Sequence, residues 1–194
     1  ERQNKVLIYT RTAGPRHANI QPALGPGLDP LLSTTQNVAQ RAIKAWLAAE
    51  GVEVHWTEDV NTLAGQLGPS STYKAVIFLN TSRDTLFKHG TAIATASAVN
   101  TTTNAHLDAG RTALRQYIRA GGGFVGIHNA FGTEYNWPWY EGLLGNANYY
   151  DHGANQNGTV NIVGRDSSTE GVGSFGFRDE WYNLVPFPTR VKFL

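Results

Sequence analysis

The chain has 194 residues, with 16 Lys and Arg against 15 Asp and Glu, 21 Gly, and neither Cys nor Met. Charged residues make up 16% of it, below the ~25% usual in globular proteins, and one domain of this length buries enough apolar surface to need no covalent or metal cross-link. The missing cysteine excludes disulfides, zinc–thiolate sites, iron–sulfur clusters and any thiol nucleophile. A net charge of +1 with no basic block excludes an electrostatic footprint for nucleic acid. No apolar run approaches the ~20 residues of a membrane-spanning helix.

Lys5 to Thr10 (KVLIYT) is a short continuous apolar run, which predicts a buried parallel strand. Thr12 to Pro30 is rich in Gly and Pro and predicts irregular structure. Val38, Ala42, Ile43, Trp46 and Leu47 recur at helical spacing, so an amphipathic helix is expected there, stopped by Gly51. Val52, Val54 and Trp56 alternate with Glu53 and His55, a half-buried strand in which His55 is structural. Lys74 to Asn80 (KAVIFLN) is the clearest central strand. Residues 85 to 106 are Ala/Thr-rich and predict a surface insertion holding a short helix, with His89 and His106 at the surface. Leu107, Leu114, Tyr117 and Ile118 predict the next helix, closed by Ala120 and the triplet Gly121, Gly122, Gly123. Phe124 to His128 reads as a fourth strand, Trp137 to Leu144 as a short aromatic helix or turn, and Thr159 to Val163 and Arg190 to Phe193 as further strands. The order describes one α/β domain over residues 1–194, doubly wound, with a mostly parallel sheet and helices on both faces.

In such sheets a ligand lies beyond the carboxyl ends of the strands. The residues that follow the four strands are Arg11, Thr12, Arg16 and His17; Thr57, Glu58 and Asp59; Asn80 to Asp84; and His128, Asn129 and Glu134. Polar groups from four separate segments thus collect at one edge. His17, His128 and His152 offer imidazoles for general acid/base chemistry near neutral pH, or for a divalent metal, although no H-x-H or H-E-x-x-H spacing marks a local metal site. Glu134, Asp151, Asp179 and Glu180 are the carboxylates that can join them. Trp137, Trp139, Tyr140, Tyr149, Tyr150, Trp181 and Tyr182 make the C-terminal half aromatic, and flat rings rimmed by polar groups suit the apolar C–H faces of sugars. Gly121 to Gly123 precedes a strand and is a helix stop; Pro15 removes an N–H that a phosphate loop would use.

Several blocks carry a family resemblance: TAGPRH at Thr12 to His17, TED at Thr57 to Asp59, FLNT at Phe78 to Thr81, YIRAGGGFVGIH at Tyr117 to His128, TEYNWPWY at Thr133 to Tyr140, and DEWYN at Asp179 to Asn183. In this order they resemble the trehalose-utilisation (ThuA-like) family, related in fold to class I glutamine amidotransferases. The resemblance implies a flavodoxin-like sheet and a role tied to sugars. The amidotransferase activity does not follow, because the turn Gly126-Ile-His128-Asn-Ala130 carries His where that reaction needs a cysteine, and no GxSxG elbow replaces it. The chain departs from the family pattern in a Gln21 to Pro30 insertion and in the length of residues 85 to 106. It ends at Leu194, where relatives continue, so the C-terminus is expected to be truncated or processed.

The expected function is acid/base chemistry on a disaccharide or keto-sugar, with His128 central and Glu134 and Glu180 as carboxylate partners. Arg16, His17, Asn80, Trp139 and Tyr140 are expected to bind the substrate. The alternatives are a non-catalytic carbohydrate-binding module and a metal-dependent hydrolase on His17, His128 and His152. No cofactor beyond such a divalent metal, and no nucleic-acid or membrane partner, is expected; the partner is a small carbohydrate, with homo-oligomerisation open. Low charge, the absent methionine and three N-x-S/T sequons, about what chance gives, suit a secreted chain rather than a cytoplasmic one. Asn100 and Asn157 are the expected glycan sites, Asn80 being at a strand end.

Overall fold

The computed structural model describes residues 1–23, 27–29, 36–86, 109–135 and 137–194. Residues 24–26 and 30 of the Gln21 to Pro30 stretch and residues 87–106 of the 85–106 insertion, with His89, Asn100 and His106, lie outside the described residues, as does Leu107. The chain divides into two compact units, Glu1–Asn136 and Trp137–Leu194. Among the described residues no helix is long and apolar enough to cross a membrane.

The first unit is built in the order β1 (Lys5–Tyr9), α1 (Val38–Ala49), β2 (Glu53–Thr57), α2 (Val60–Gln66), β3 (Ala75–Leu79), α3 (Ala109–Arg119) and β4 (Gly123–Ile127). Its strands form a four-stranded sheet in the order β2-β1-β3-β4, every pair parallel. This is a flavodoxin-like α/β arrangement, and the apolar runs explain it. Strand β1 lies between two neighbours, so successive side chains enter opposite layers and all must be apolar. One layer joins Val6, Ile8, Val54, Trp56, Ile77 and Leu79, against which Ala39, Ile43 and Leu47 of α1 pack. The other buries Leu7, Tyr9, Val76 and Phe78, and α2 and α3 pack on one another. Gly121, at φ 85°, stops α3 in the left-handed region that glycine enters without cost.

Helix α2 fills the crossover between β2 and β3, and its signal in the sequence is local rather than periodic. Asp59 caps it: Oδ1 accepts from the Asn61 amide at 3.1 Å and Oδ2 from the Thr62 hydroxyl at 2.7 Å. Helix α3 begins with a close approach, since a Cβ on Gly110 would meet the Leu86 carbonyl oxygen at 2.3 Å.

The second unit contains α4 (Pro138–Leu143), β5 (Tyr149–His152), β6 (Gln156–Val160), β7 (Phe175–Asp179) and β8 (Tyr182–Leu184). Strands β5 and β8 pair antiparallel, as do β6 and β7. Two expectations are corrected here. The strand expected at Thr159 to Val163 lies earlier, at Gln156–Val160, because its partner fixes the register: Gly158 opposes Phe177, and the Trp181 ring lies where a Cβ on Gly158 would stand. Arg190 to Phe193 is not a strand; Arg190 sits at φ 55°, which breaks the extended run. Strands β5, β7 and β8 are short and polar or Gly-interrupted, and no apolar run announces them.

Candidate functional site

The carboxyl ends of β3 and β4 are two turns under backbone strain. Asn80, Arg83, His128 and Glu134 all have φ between 50° and 53°, a region that costs a non-glycine residue on the order of 1 kcal/mol or more. Such geometry persists only where neighbours over-determine it, and here they do. The Arg83 amide donates to the Gly132 carbonyl and the Glu134 amide to the Arg83 carbonyl, each at 2.8 Å. The Thr133 hydroxyl donates to the Asn129 carbonyl at 3.0 Å, so the Thr81 hydroxyl is the donor in the 2.7 Å bond between the two threonines.

His128 is the first residue after β4 and opens a single 3-10 turn, His128–Gly132. The strand-to-helix change at a left-handed residue aims its side chain away from the strand line, the same device that presents a nucleophile in elbow-type enzymes. His17 comes from the other side of the sheet centre: the chain leaves β1, and His17 precedes the 3-10 turn Ala18–Ile20. The two half-buried imidazoles meet edge to face, ring centroids 4.9 Å apart and planes at 79°. Asn80, between them and only 2% exposed, links both turns. Its Nδ2 donates to Asn19 Oδ1 at 2.9 Å, and its Oδ1 accepts from the Asn129 amide at 3.4 Å. The pair thus presents two ring nitrogens that can give or take a proton on one substrate. It also offers two nitrogen ligands to a divalent ion.

Arg16 does not reach outward. Its guanidinium donates to the carbonyls of Thr10 (3.3 Å), Ile20 (2.6 Å) and Pro22 (3.1 Å) and to the Thr12 hydroxyl (3.3 Å), and it pairs with Glu58 at 2.6 Å. Asn37 and Gln40, at the start of α1, donate to the same Ile20 carbonyl. The ion pair is anchored in turn, because Trp56 Nε1 donates to the Thr10 hydroxyl at 2.6 Å and that hydroxyl donates to Glu58 at 2.8 Å. The loop that carries His17 is therefore held from β1, β2 and α1 together. Glu58 was legible in the TED block, but its role as the Arg16 anchor was not.

Glu134 is fully buried. One oxygen accepts from Arg111 Nε of α3 at 2.6 Å and the other from the Leu86 amide at 2.8 Å. Burial pushes its pKa up to about 7, against the opposing pull of the Arg111 charge. Its carboxylate thus ties α3 to the β3 and β4 turns rather than standing at the surface. His55, expected to be structural, contacts the Tyr73 hydroxyl at 2.5 Å and Glu53 at 2.7 Å.

The remaining expected residues belong to the second unit. Tyr140 is a core ring at 1% exposure, parallel to the buried Trp137, while Trp139 is half-buried beside Trp137 at 4.9 Å. Glu180 is half-buried where β7 gives way to β8, its amide donating to Asp179 Oδ1 at 2.9 Å. His152 ends β5 and is exposed; Asn157 lies exposed on β6 opposite Arg178. Of the histidines expected as metal ligands, His17 and His128 stand together in the first unit and His152 belongs to the second.

Comparison with known proteins returns one family. The model described as "ThuA: Trehalose utilisation" matches residues 5–194. No curated protein and no solved structure matches the chain.

Proposed function

We propose that this chain, which belongs to the ThuA (trehalose utilisation) family, is a carbohydrate-processing enzyme working by general acid/base chemistry on a disaccharide or keto-sugar at the His17–His128 pair. The observation that carries the reading is the pair itself: two imidazoles from distant segments, in contact at the carboxyl ends of β1 and β4, one of them on a strained turn. In this role His128 takes a proton from a substrate hydroxyl or from a carbon beside a carbonyl, and His17 supplies or receives the second proton. Asn80 keeps the two turns in register, and Arg16 and Glu58 hold the His17 loop. Thioester chemistry is excluded because the chain has no cysteine.

The test is turnover of trehalose, other disaccharides and their keto derivatives by the purified protein and by His128→Asn. Asn tolerates the left-handed backbone at this position, so the variant removes the base and keeps the turn. Loss of turnover in a folded variant supports the reading. Binding without turnover by the wild type supports a carbohydrate-binding module instead.

The same geometry favours one second reading, a divalent metal held by His17 and His128 as two of its ligands. Such an ion would polarise a substrate carbonyl or activate a water. Elemental analysis of the purified protein, with activity measured before and after chelation, separates the two.

A further inference from the structure

The second unit carries a group of rings on one side of the β5–β8 pair. Asp151 stands opposite Asn183 and His152 opposite Tyr182, but the register shifts between Tyr149 and Asp151. On a regular strand residues three apart face opposite sides. The shift, acting as a bulge, returns Tyr149 to the side of His152. The result is a contiguous cluster: Tyr149 meets Tyr182 at 4.7 Å edge to face, His152 stacks on Tyr182 at 5.4 Å with planes 18° apart, and Tyr149 lies 6.1 Å from His152. Asn183 Nδ2 donates to Asp151 Oδ1 at 2.7 Å, which pairs the residues that alternate to the other side.

The polar equipment of this cluster is defined. His152 Nδ1 lies 2.8 Å from the Gly153 carbonyl oxygen. A carbonyl only accepts, so Nδ1 carries the hydrogen, and the neutral ring keeps its lone pair on Nε2. Burial, then the charges of Asp151 and Glu180, raise the Tyr149 pKa, so its hydroxyl stays a donor. Strands β5 and β8 carry the acidic Asp151 and neither Lys nor Arg, which disfavours a phosphate or carboxylate ligand. A neutral molecule with an apolar face and many O–H donors matches it best.

We infer that the Tyr149–His152–Tyr182 cluster is a saccharide subsite: a pyranose ring lays its C–H face on the outer face of the exposed His152 ring, which Tyr182 backs, and donates a hydroxyl hydrogen to His152 Nε2. This subsite rests on the carbohydrate reading above and deepens it by assigning a stacking surface within the second unit.

The experiment measures trehalose and methyl α-glucopyranoside binding to the whole chain by calorimetry and by saturation-transfer NMR, with the side-chain nitrogen resonances of His152 followed during the titration. The expected results are a shift of the His152 Nε2 resonance and a Kd raised about fivefold in Tyr182→Ala but within about twofold of wild type in Tyr182→Phe. His152→Phe, at an exposed position that does not threaten folding, keeps a ring and removes the acceptor; its Kd is expected to rise about threefold to tenfold. Unchanged affinity in all three variants with an unmoved His152 signal overturns the subsite and leaves the carbohydrate reading standing. A wild-type protein that binds tetramethylammonium at these rings in place of either saccharide overturns the subsite alone, and one that neither binds nor turns over any saccharide overturns both.

Discussion

The imidazoles of His17 and His128 touch edge to face at 4.9 Å, although one follows the first strand of the sheet and the other follows the fourth. Their contact depends on strand order. Strands β1 and β4 both flank β3, and Asn80 at the end of β3 bonds to a residue within two positions of each histidine. The chemistry proposed for the pair follows from this placement, and four measurements test the arrangement.

His128→Asn is expected to lower kcat/KM by about 10² or more on whichever saccharide is turned over, the usual contribution of a positioned general base. Its unfolding midpoint in urea is expected to stay near that of wild type, because Asn accepts φ 51°. A variant retaining full activity removes His128 from the mechanism.

Asn80 combines a left-handed backbone with two side-chain bonds. Asn80→Gly keeps the backbone and loses the bonds, and is expected to cost about 1–2 kcal/mol in urea unfolding. Asn80→Ala adds the backbone penalty and is expected to be less stable than the Gly variant by about 1 kcal/mol. Both should reduce kcat through misplacement of the two histidine turns. Equal stability of the two variants would contradict the strained geometry.

Glu134 makes stability depend on pH in an uncommon direction for a carboxylate. Its folded pKa, about 7, lies above the unfolded value of 4.5. Between these values the folded chain holds a proton that the unfolded chain has released, so stability falls as pH rises through this window. The contribution is fully present below the unfolded pKa and lost above the folded one, and is on the order of 3 kcal/mol. Urea midpoints at pH 5 and pH 8 check this, and Glu134→Gln is expected to remove most of the difference. Arg111→Met withdraws the cation that opposes burial, so the loss should extend to higher pH.

Gly110 opens α3, and a Cβ there would stand 2.3 Å from the Leu86 carbonyl oxygen and 3.0 Å from Val60. Ala is normally the better helix residue by about 1 kcal/mol. Here the backbone contact must yield, and Gly110→Ala is expected to destabilise by about 1–3 kcal/mol in chemical unfolding. A stabilised variant would show that α3 can slide away from the β3 turn without cost.

The amino-acid sequence by itself determined the sheet of the first unit. Continuous apolar runs at Lys5–Tyr9 and Ala75–Leu79 can be satisfied only by strands buried on both sides, and the Phe124 to His128 run follows a helix stop at Gly121. It also removed thiol chemistry, through the absence of cysteine, and gathered histidines and amides at the strand ends. It did not reveal β5, β7 and β8, whose short polar strands depend on pairing rather than on apolar pattern.

Tertiary structure alone decided what the polar residues do. Arg16, Asn80 and Glu134 look alike in sequence, as polar groups just past a strand. Folded, Arg16 is taken up by backbone carbonyls and Glu58, Asn80 by the two histidine turns, and Glu134 by Arg111 and the Leu86 amide. Hydrogen-bond partners lie far along the chain and a buried donor or acceptor must find one, so burial assigns these side chains to the scaffold. Composition and spacing name the chemistry available at an edge; only the partners, fixed by packing, decide which groups remain to use it.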